Sequence, residues 1–194
     1  RLRALRRLLD YVNGPSERLV LVTGRVGVGK SSLLHAGLIP HLRTGNDDVR
    51  VVVREAGRSL PETLRERAAE LKDNTILVVD QVEECLIPGT SVRNECEQFA
   101  QELVELLNPD AAKRAKCIIL GCRSDYVDEI KRHLRDKNLL WRAFTLKPLE
   151  REDVVEVLTL ASDDAAKALY KIKVACSEGA PGAFADSLLR DEDS

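Results

Sequence analysis

Apolar positions along this chain switch between two spacings. Leu2, Leu5, Leu8, Leu9 and Val12 recur at helical intervals, and Asn13-Gly14-Pro15 closes that segment. Arg18-Leu19-Val20-Leu21-Val22-Thr23 is then a short β-branched run that reads as a buried strand. Helical spacing returns over 32–39 and is expected to stop at Pro40. Gly45-Asn46-Asp47-Asp48 is a turn, followed by a second strand over 49–54. Leu64, Ala68 and Leu71 predict a helix over 61–71, and 75–80 is a third strand, apolar until its terminal acid, Asp80. A helix over 94–107 carries Phe99, Leu103 and Leu106 on one face and ends at Asn108-Pro109. Residues 117–120 and 143–146 supply strands four and five. Five parallel-type strands separated by helices predict a three-layer α/β sandwich. From Glu150 onward the spacing is helical (Val154, Val155, Leu158, then 165–175). The chain thus divides into an α/β core over 1–149 and a small helical subdomain over 150–194. No internal repeat is visible.

Bulk composition changes this picture little but narrows the class. A chain of 194 residues with 44% hydrophobic and 32% charged positions supports one globular core and a small appendage. Thirty basic against 32 acidic residues leave a net charge of −2, so the Arg-rich start is a solvated helix face rather than a nucleic-acid signature. No apolar run approaches bilayer length and no signal peptide is visible, which predicts a cytoplasmic protein with no membrane partner. Cys85, Cys96, Cys117, Cys122 and Cys176 form no C-x-x-C pair and read as buried reduced thiols. His35, His41 and His133 lack zinc-ligand spacing. The chain holds no methionine and begins at Arg1, which predicts an excised piece of a longer protein.

Chemistry enters between the first strand and the helix that follows. Gly24-Arg25-Val26-Gly27-Val28-Gly29-Lys30-Ser31 has the G-x-x-x-x-G-K-S spacing of a phosphate-binding loop. Its three glycines let the backbone curl until several N–H groups face one anion, and the helix dipole adds positive potential there. Lys30 supplies a point charge for β- and γ-phosphates, the Ser31 hydroxyl a position on Mg²⁺, and Ser32 continues the loop into its helix. Hydrolysis needs a carboxylate for the metal and a group that positions water. Asp80, at the carboxyl end of a predicted parallel strand, suits the first task. Glu83 and Glu84 are both candidates for the second.

These residues carry a family resemblance. The run from Gly24 to Pro40 resembles the extended P-loop of prokaryotic STAND ATPases, signal-transduction ATPases with numerous domains, and is most similar to the novel STAND group. Asp80-Gln81-Val82-Glu83-Glu84 resembles that group's Walker B segment, with Val82 where the group carries an aromatic residue. Arg54 and Pro61 resemble its second-strand arginine and helix-opening proline. Cys122-Arg123-Ser124-Asp125 is similar to its sensor-1 segment, in which Arg123 would report a γ-phosphate. Leu146-Lys147-Pro148-Leu149 resembles the step into the helical subdomain, and Gly179-Ala180-Pro181 the G-x-P motif whose proline, here Pro181, packs near nucleotide.

The resemblance implies a P-loop NTPase with sheet order 5-1-4-3-2, ATP (or dATP or ADP) with Mg²⁺ held by Ser31 and Asp80, and slow hydrolysis. It also implies effector and sensor domains in cis outside this chain, and self-association of the full-length protein in signalling or defence. Other classes share the loop. An AAA+-type DNA-associated ATPase would show a basic stripe. A P-loop kinase would show lid arginines, and Arg132, Arg135 and Arg142 read instead as an ordinary charged helix. A GTPase and an ABC ATPase are disfavoured because Asn-Lys-x-Asp and Leu-Ser-Gly-Gly are missing.

Overall fold

The computed structural model describes residues 2–14, 17–45, 47–72, 74–86, 94–109, 114–151 and 153. The chain divides into two units, Leu5–Lys147 and a second made of Arg1–Ala4 with Pro148–Ser194. Within the second, the Glu150 amide donates to the Asp153 carboxylate at 3.1 Å. The helical positions expected beyond Val154, with Cys176 and Pro181, lie outside the described residues.

The larger unit is built on one parallel sheet. Its strands are β1 (Leu19–Gly24), β2 (Asp48–Val52), β3 (Thr75–Val79), β4 (Cys117–Arg123) and β5 (Arg142–Thr145), in the order β2-β3-β4-β1-β5. Read from the other edge, this is the order 5-1-4-3-2. Leu21 pairs with Leu120 and Ala143, and Val79 with Val52 and Leu120, all in parallel register. Central strands are covered on both faces, which is why β1 and β3 are buried at every position and read as continuous apolar runs.

Side chains alternate across the sheet. On one face Leu77, Val79, Ile118 and Leu120 pack with Leu60 and Leu64 of α4 (Leu60–Ala69), Phe99 and Leu103 of α5 (Glu95–Leu107), and Ile130 and Leu134 of α6 (Val127–Asp136). Each fully buried leucine there contributes about 2 kcal/mol of transfer free energy. The opposite set, Val20, Val22, Ile76, Val78 and Ile119, is equally buried. Helix α1 (Leu2–Asn13) buries Leu5, Leu8 and Val12.

Local chemistry sets several boundaries. Ser59 opens α4 with a reciprocal capping box: it accepts from the Glu62 amide while the Glu62 side chain accepts from the Ser59 amide. Strand β4 runs three residues past its expected end and takes in Gly121, Cys122 and Arg123. Pro40 does not stop its helix, contrary to expectation. The helix starts as α2 (Lys30–Ser32), widens to a π-helical stretch (Leu33–Leu38) and continues as α3 (Ile39–Thr44). Proline lacks an N–H and its ring crowds the carbonyl four residues back, and the wider turn just before it relieves both conflicts. Of the three arginines weighed as a lid, Arg132 pairs with Glu129 on α6 and Arg135 lies over Trp141. Arg142 is not helical: it opens β5, donates to Glu17 at 2.7 Å and lies over Tyr11.

The cysteine reading also needs correction. Cys85 and Cys96 form a disulfide, with Cα atoms 5.2 Å apart. It joins the 3₁₀ turn Val82–Leu86 to the first turn of α5, an approach that a separation of 11 residues does not announce. Cys117 and Cys122 are free and buried in β4, and burial pushes both thiols up to about 12.

Candidate functional site

The glycine-rich loop leaves the carboxyl end of β1, an inner strand of the sheet. Gly27 and Gly29 have φ of +75° and +89°, left-handed values that a side chain strongly disfavours. Gly24 is required for a different reason, since a Cβ there would fall 2.9 Å from the Leu146 carbonyl oxygen and 2.8 Å from Val28. Val28 is buried beneath the loop, whereas Arg25, Val26, Ser31 and Ser32 are exposed along it. The Lys30 ammonium folds back over the loop and donates to the carbonyls of Gly24 (2.9 Å) and Arg25 (3.1 Å). A cation is thereby held at the centre of the curl.

Asp80 follows the last residue of β3, two strands away from the loop. Its carboxylate is nearly buried, with a side-chain exposure of 7%, and is engaged at both oxygens. Oδ1 accepts the Gln81 amide at 3.0 Å, and Oδ2 lies 3.3 Å from Nε2 of His35 on the loop's own helix. Gly121 of β4 supplies the space: a Cβ there would fall 2.6 Å from Oδ1. The Ser31 hydroxyl and the Asp80 carboxylate are both oxygen donors, the kind that a hard divalent cation such as Mg²⁺ takes. The carboxylate occupies room that any larger residue at 121 would fill, and the two oxygen donors suit such an ion in kind.

The two glutamates separate. Glu83 is buried, and its Oε2 accepts the Arg123 amide at 3.2 Å, at the level where Arg123 pairs with Gly24 of the loop. Glu84 lies on the Arg54 side. Burial raises its carboxyl above the ordinary range, with the Arg54 charge opposing that rise. Arg54 donates to the Glu84 carbonyl (2.9 Å), the Arg58 carbonyl (3.1 Å) and the buried Glu95 carboxylate (3.2 Å). The other Glu95 oxygen accepts the Leu60 amide at 2.8 Å, so one acid anchors both Arg54, two residues past the end of β2, and the start of α4. The Arg123 guanidinium donates to Asp125 at 2.7 Å and lies over Tyr126, while its buried Nε has no hydrogen-bond partner among the described residues.

The fold therefore gathers Gly24, Lys30, Asp80, Glu83 and Arg123 at one end of β1, β3 and β4. It adds His35 and Gly121, which sequence reasoning missed. An isolated glycine inside an apolar strand is a signal of close approach that bears on Gly121. For His35 the only hint was its position four residues after Ser31, on the same helix face.

A phosphate-binding loop on an inner strand of a parallel sheet, with an acid at the end of a strand two places away, defines a P-loop NTPase domain. The chain matches the model of the family described as novel STAND NTPase 1 over residues 1–174, and it belongs to that family. No curated protein matches it. Among solved structures, it is similar to the ADP form of the ORC2 protein of Aeropyrum pernix, with 12% identity and a TM-score of 0.46 over 87% of this chain and 50% of that one. This chain thus spans about half of that protein's length, and a likeness so distant carries no functional argument. Among the described residues, no helix is long and apolar enough to cross a membrane.

Proposed function

We propose that this domain is a nucleotide-operated switch that binds ATP or dATP, hydrolyses it slowly, and governs self-association of a larger cytoplasmic signalling or defence protein. The observation that carries the reading is the Lys30 ammonium resting on the Gly24 and Arg25 carbonyls inside a curl set by left-handed Gly27 and Gly29. In that curl several backbone amides face the polyphosphate. Lys30 exchanges loop carbonyls for phosphate oxygens, a better match for its charge.

Ser31 and Asp80 are the residues that would hold Mg²⁺, which when bound neutralises charge on the transferring phosphoryl group. Glu83 holds the attacking water and accepts its proton. Its support is the bond from Glu83 to the Arg123 amide, which ties it to the loop-facing end of β4. Arg123 reads the terminal phosphate, trading Asp125 for it and satisfying its idle Nε. Loss of the terminal phosphate then changes what Arg123 holds, which is how hydrolysis reaches the assembly. Slow turnover suits a switch, whose bound state must persist.

The test is equilibrium titration of a fluorescent ATP analogue into wild type and Lys30→Ala. Binding is expected to be abolished in the variant, and equal affinity in the two proteins would overturn the site.

A further inference from the structure

His35 has no role in the reading above, yet it is the side chain that touches Asp80. We infer that His35 is a positioning residue for the metal carboxylate, linking the phosphate loop's helix directly to the acid on β3. The inference rests on the nucleotide-site reading and extends it to the residue that sets metal affinity.

Three observations converge. The first is the contact itself, 3.3 Å between His35 Nε2 and Asp80 Oδ2, across 45 residues of sequence. An ionised carboxylate only accepts, so in this contact Nε2 is the donor. The second is the backbone that makes the contact. Leu33–Leu38 is π-helical, with the Ile39 amide donating to the Leu34 carbonyl, and its wider turn brings two consecutive residues toward the same strand ends. Leu34 Cδ1 packs 3.1 Å from where a Gly121 Cβ would lie, and His35 next to it meets Asp80. The third is the accounting at Asp80. Oδ1 is held by the Gln81 amide, so His35 is the side-chain partner of Oδ2 among the described residues. Remove it and the carboxylate keeps one anchor, free to turn about its χ2 bond.

A ligating carboxylate that is hydrogen-bonded by an outer partner binds metal more tightly because its orientation is set before the ion arrives. His35 supplies that partner from the helix that also carries Lys30 and Ser31. Loop movement around a polyphosphate is thereby transmitted to Asp80 through one rigid side chain. The imidazole is half-exposed, 42% by side chain, and its replacement removes no core packing.

The experiment uses Mn²⁺ in place of Mg²⁺, followed by electron paramagnetic resonance, on the whole chain with saturating ADP. Metal-free ADP affinity is measured in parallel with chelator present. In His35→Ala the Mn²⁺ half-saturation is expected to rise roughly 10- to 100-fold, with metal-free ADP affinity within about twofold of wild type. His35→Gln, whose amide N–H can reach the same oxygen, is expected to recover most of the loss. His41→Ala, on the same helix but bonded to the Gly37 carbonyl, is expected to leave the Mn²⁺ midpoint alone. An unchanged midpoint in His35→Ala, or an equal rise in His41→Ala, overturns the role of His35 while leaving the nucleotide site standing. Wild-type protein that binds no ADP overturns the nucleotide-site reading itself, and this inference with it.

Discussion

Glu83 accepts the backbone amide of Arg123 at 3.2 Å, across 40 residues of sequence. The bond joins the turn after β3 to the last residue of β4, and it distinguishes two adjacent acids of the same residue type. Glu84, by contrast, faces Arg54 and carries a carboxyl raised by burial. Glu83→Gln is therefore expected to lower ATP turnover by about 100-fold or more while nucleotide binding persists, the scale of a lost general base. Glu84→Gln should stay within a few-fold of wild type. Steady-state phosphate release measures both, and the reverse ranking would show that the acids were assigned the wrong way round.

Gly121 gives Asp80 its room. Gly121→Ala puts a methyl 2.6 Å from Oδ1 and 3.1 Å from Leu34 Cδ1, so the carboxylate or the helix must shift. The expected stability cost is about 1–3 kcal/mol, typical of overpacking. Mg²⁺-dependent nucleotide affinity should fall further than metal-free affinity. Urea unfolding and paired titrations test this, and an alanine variant matching wild type in both would dispose of the steric argument.

The Cys85–Cys96 disulfide ties the turn carrying Glu83 and Glu84 to α5. Its removal by Cys85→Ser with Cys96→Ser is expected to lower stability by roughly 2–4 kcal/mol, mainly through a freer unfolded chain. Wild type treated with dithiothreitol should unfold at the same guanidinium concentration as the double variant. Identical unfolding of reduced and oxidised wild type would mean that the bond contributes nothing.

The capping box gives a pH dependence of known sign. The Ser59 amide, with the Ser59 hydroxyl second, holds the Glu62 carboxyl below its ordinary range in the folded state. A depressed folded pKa means that stability is present above the unfolded value and is lost as pH falls through the folded one. Between neutral pH and about pH 3, wild type should therefore lose more stability than Glu62→Gln, which has no charge to lose. Urea midpoints at the two pH values decide it, and parallel declines would remove Glu62 from the account.

Much of the architecture was legible because it is local. The strand–loop–helix at 19–32 is specified by fourteen consecutive residues, and the apolar runs at β1, β3 and β4 announce strands covered on both faces. The resemblance carried by 24–40 and 80–84 supplied the sheet order that the strand pairings then matched. Other signals were present but compete with stronger ones. Pro40 reads as a stop, and only a π-helical turn before it lets the helix continue. Ser59-Leu60-Pro61-Glu62 is a capping signature that the apolar spacing of 61–71 overshadowed.

By itself, then, the amino-acid order determined which segments are strands and helices and where a phosphate would be cradled, because those depend on backbone torsions and amides within a few residues. Tertiary structure alone decided that His35 meets Asp80, that Gly121 yields space to it, that Glu83 and Glu84 part company, that Cys85 joins Cys96 and that Glu95 holds Arg54. Each of these contacts links residues on different elements, most of them dozens of positions apart. Their partners are chosen by the order of strands in the sheet and the crossings of helices over it, which no local spacing encodes.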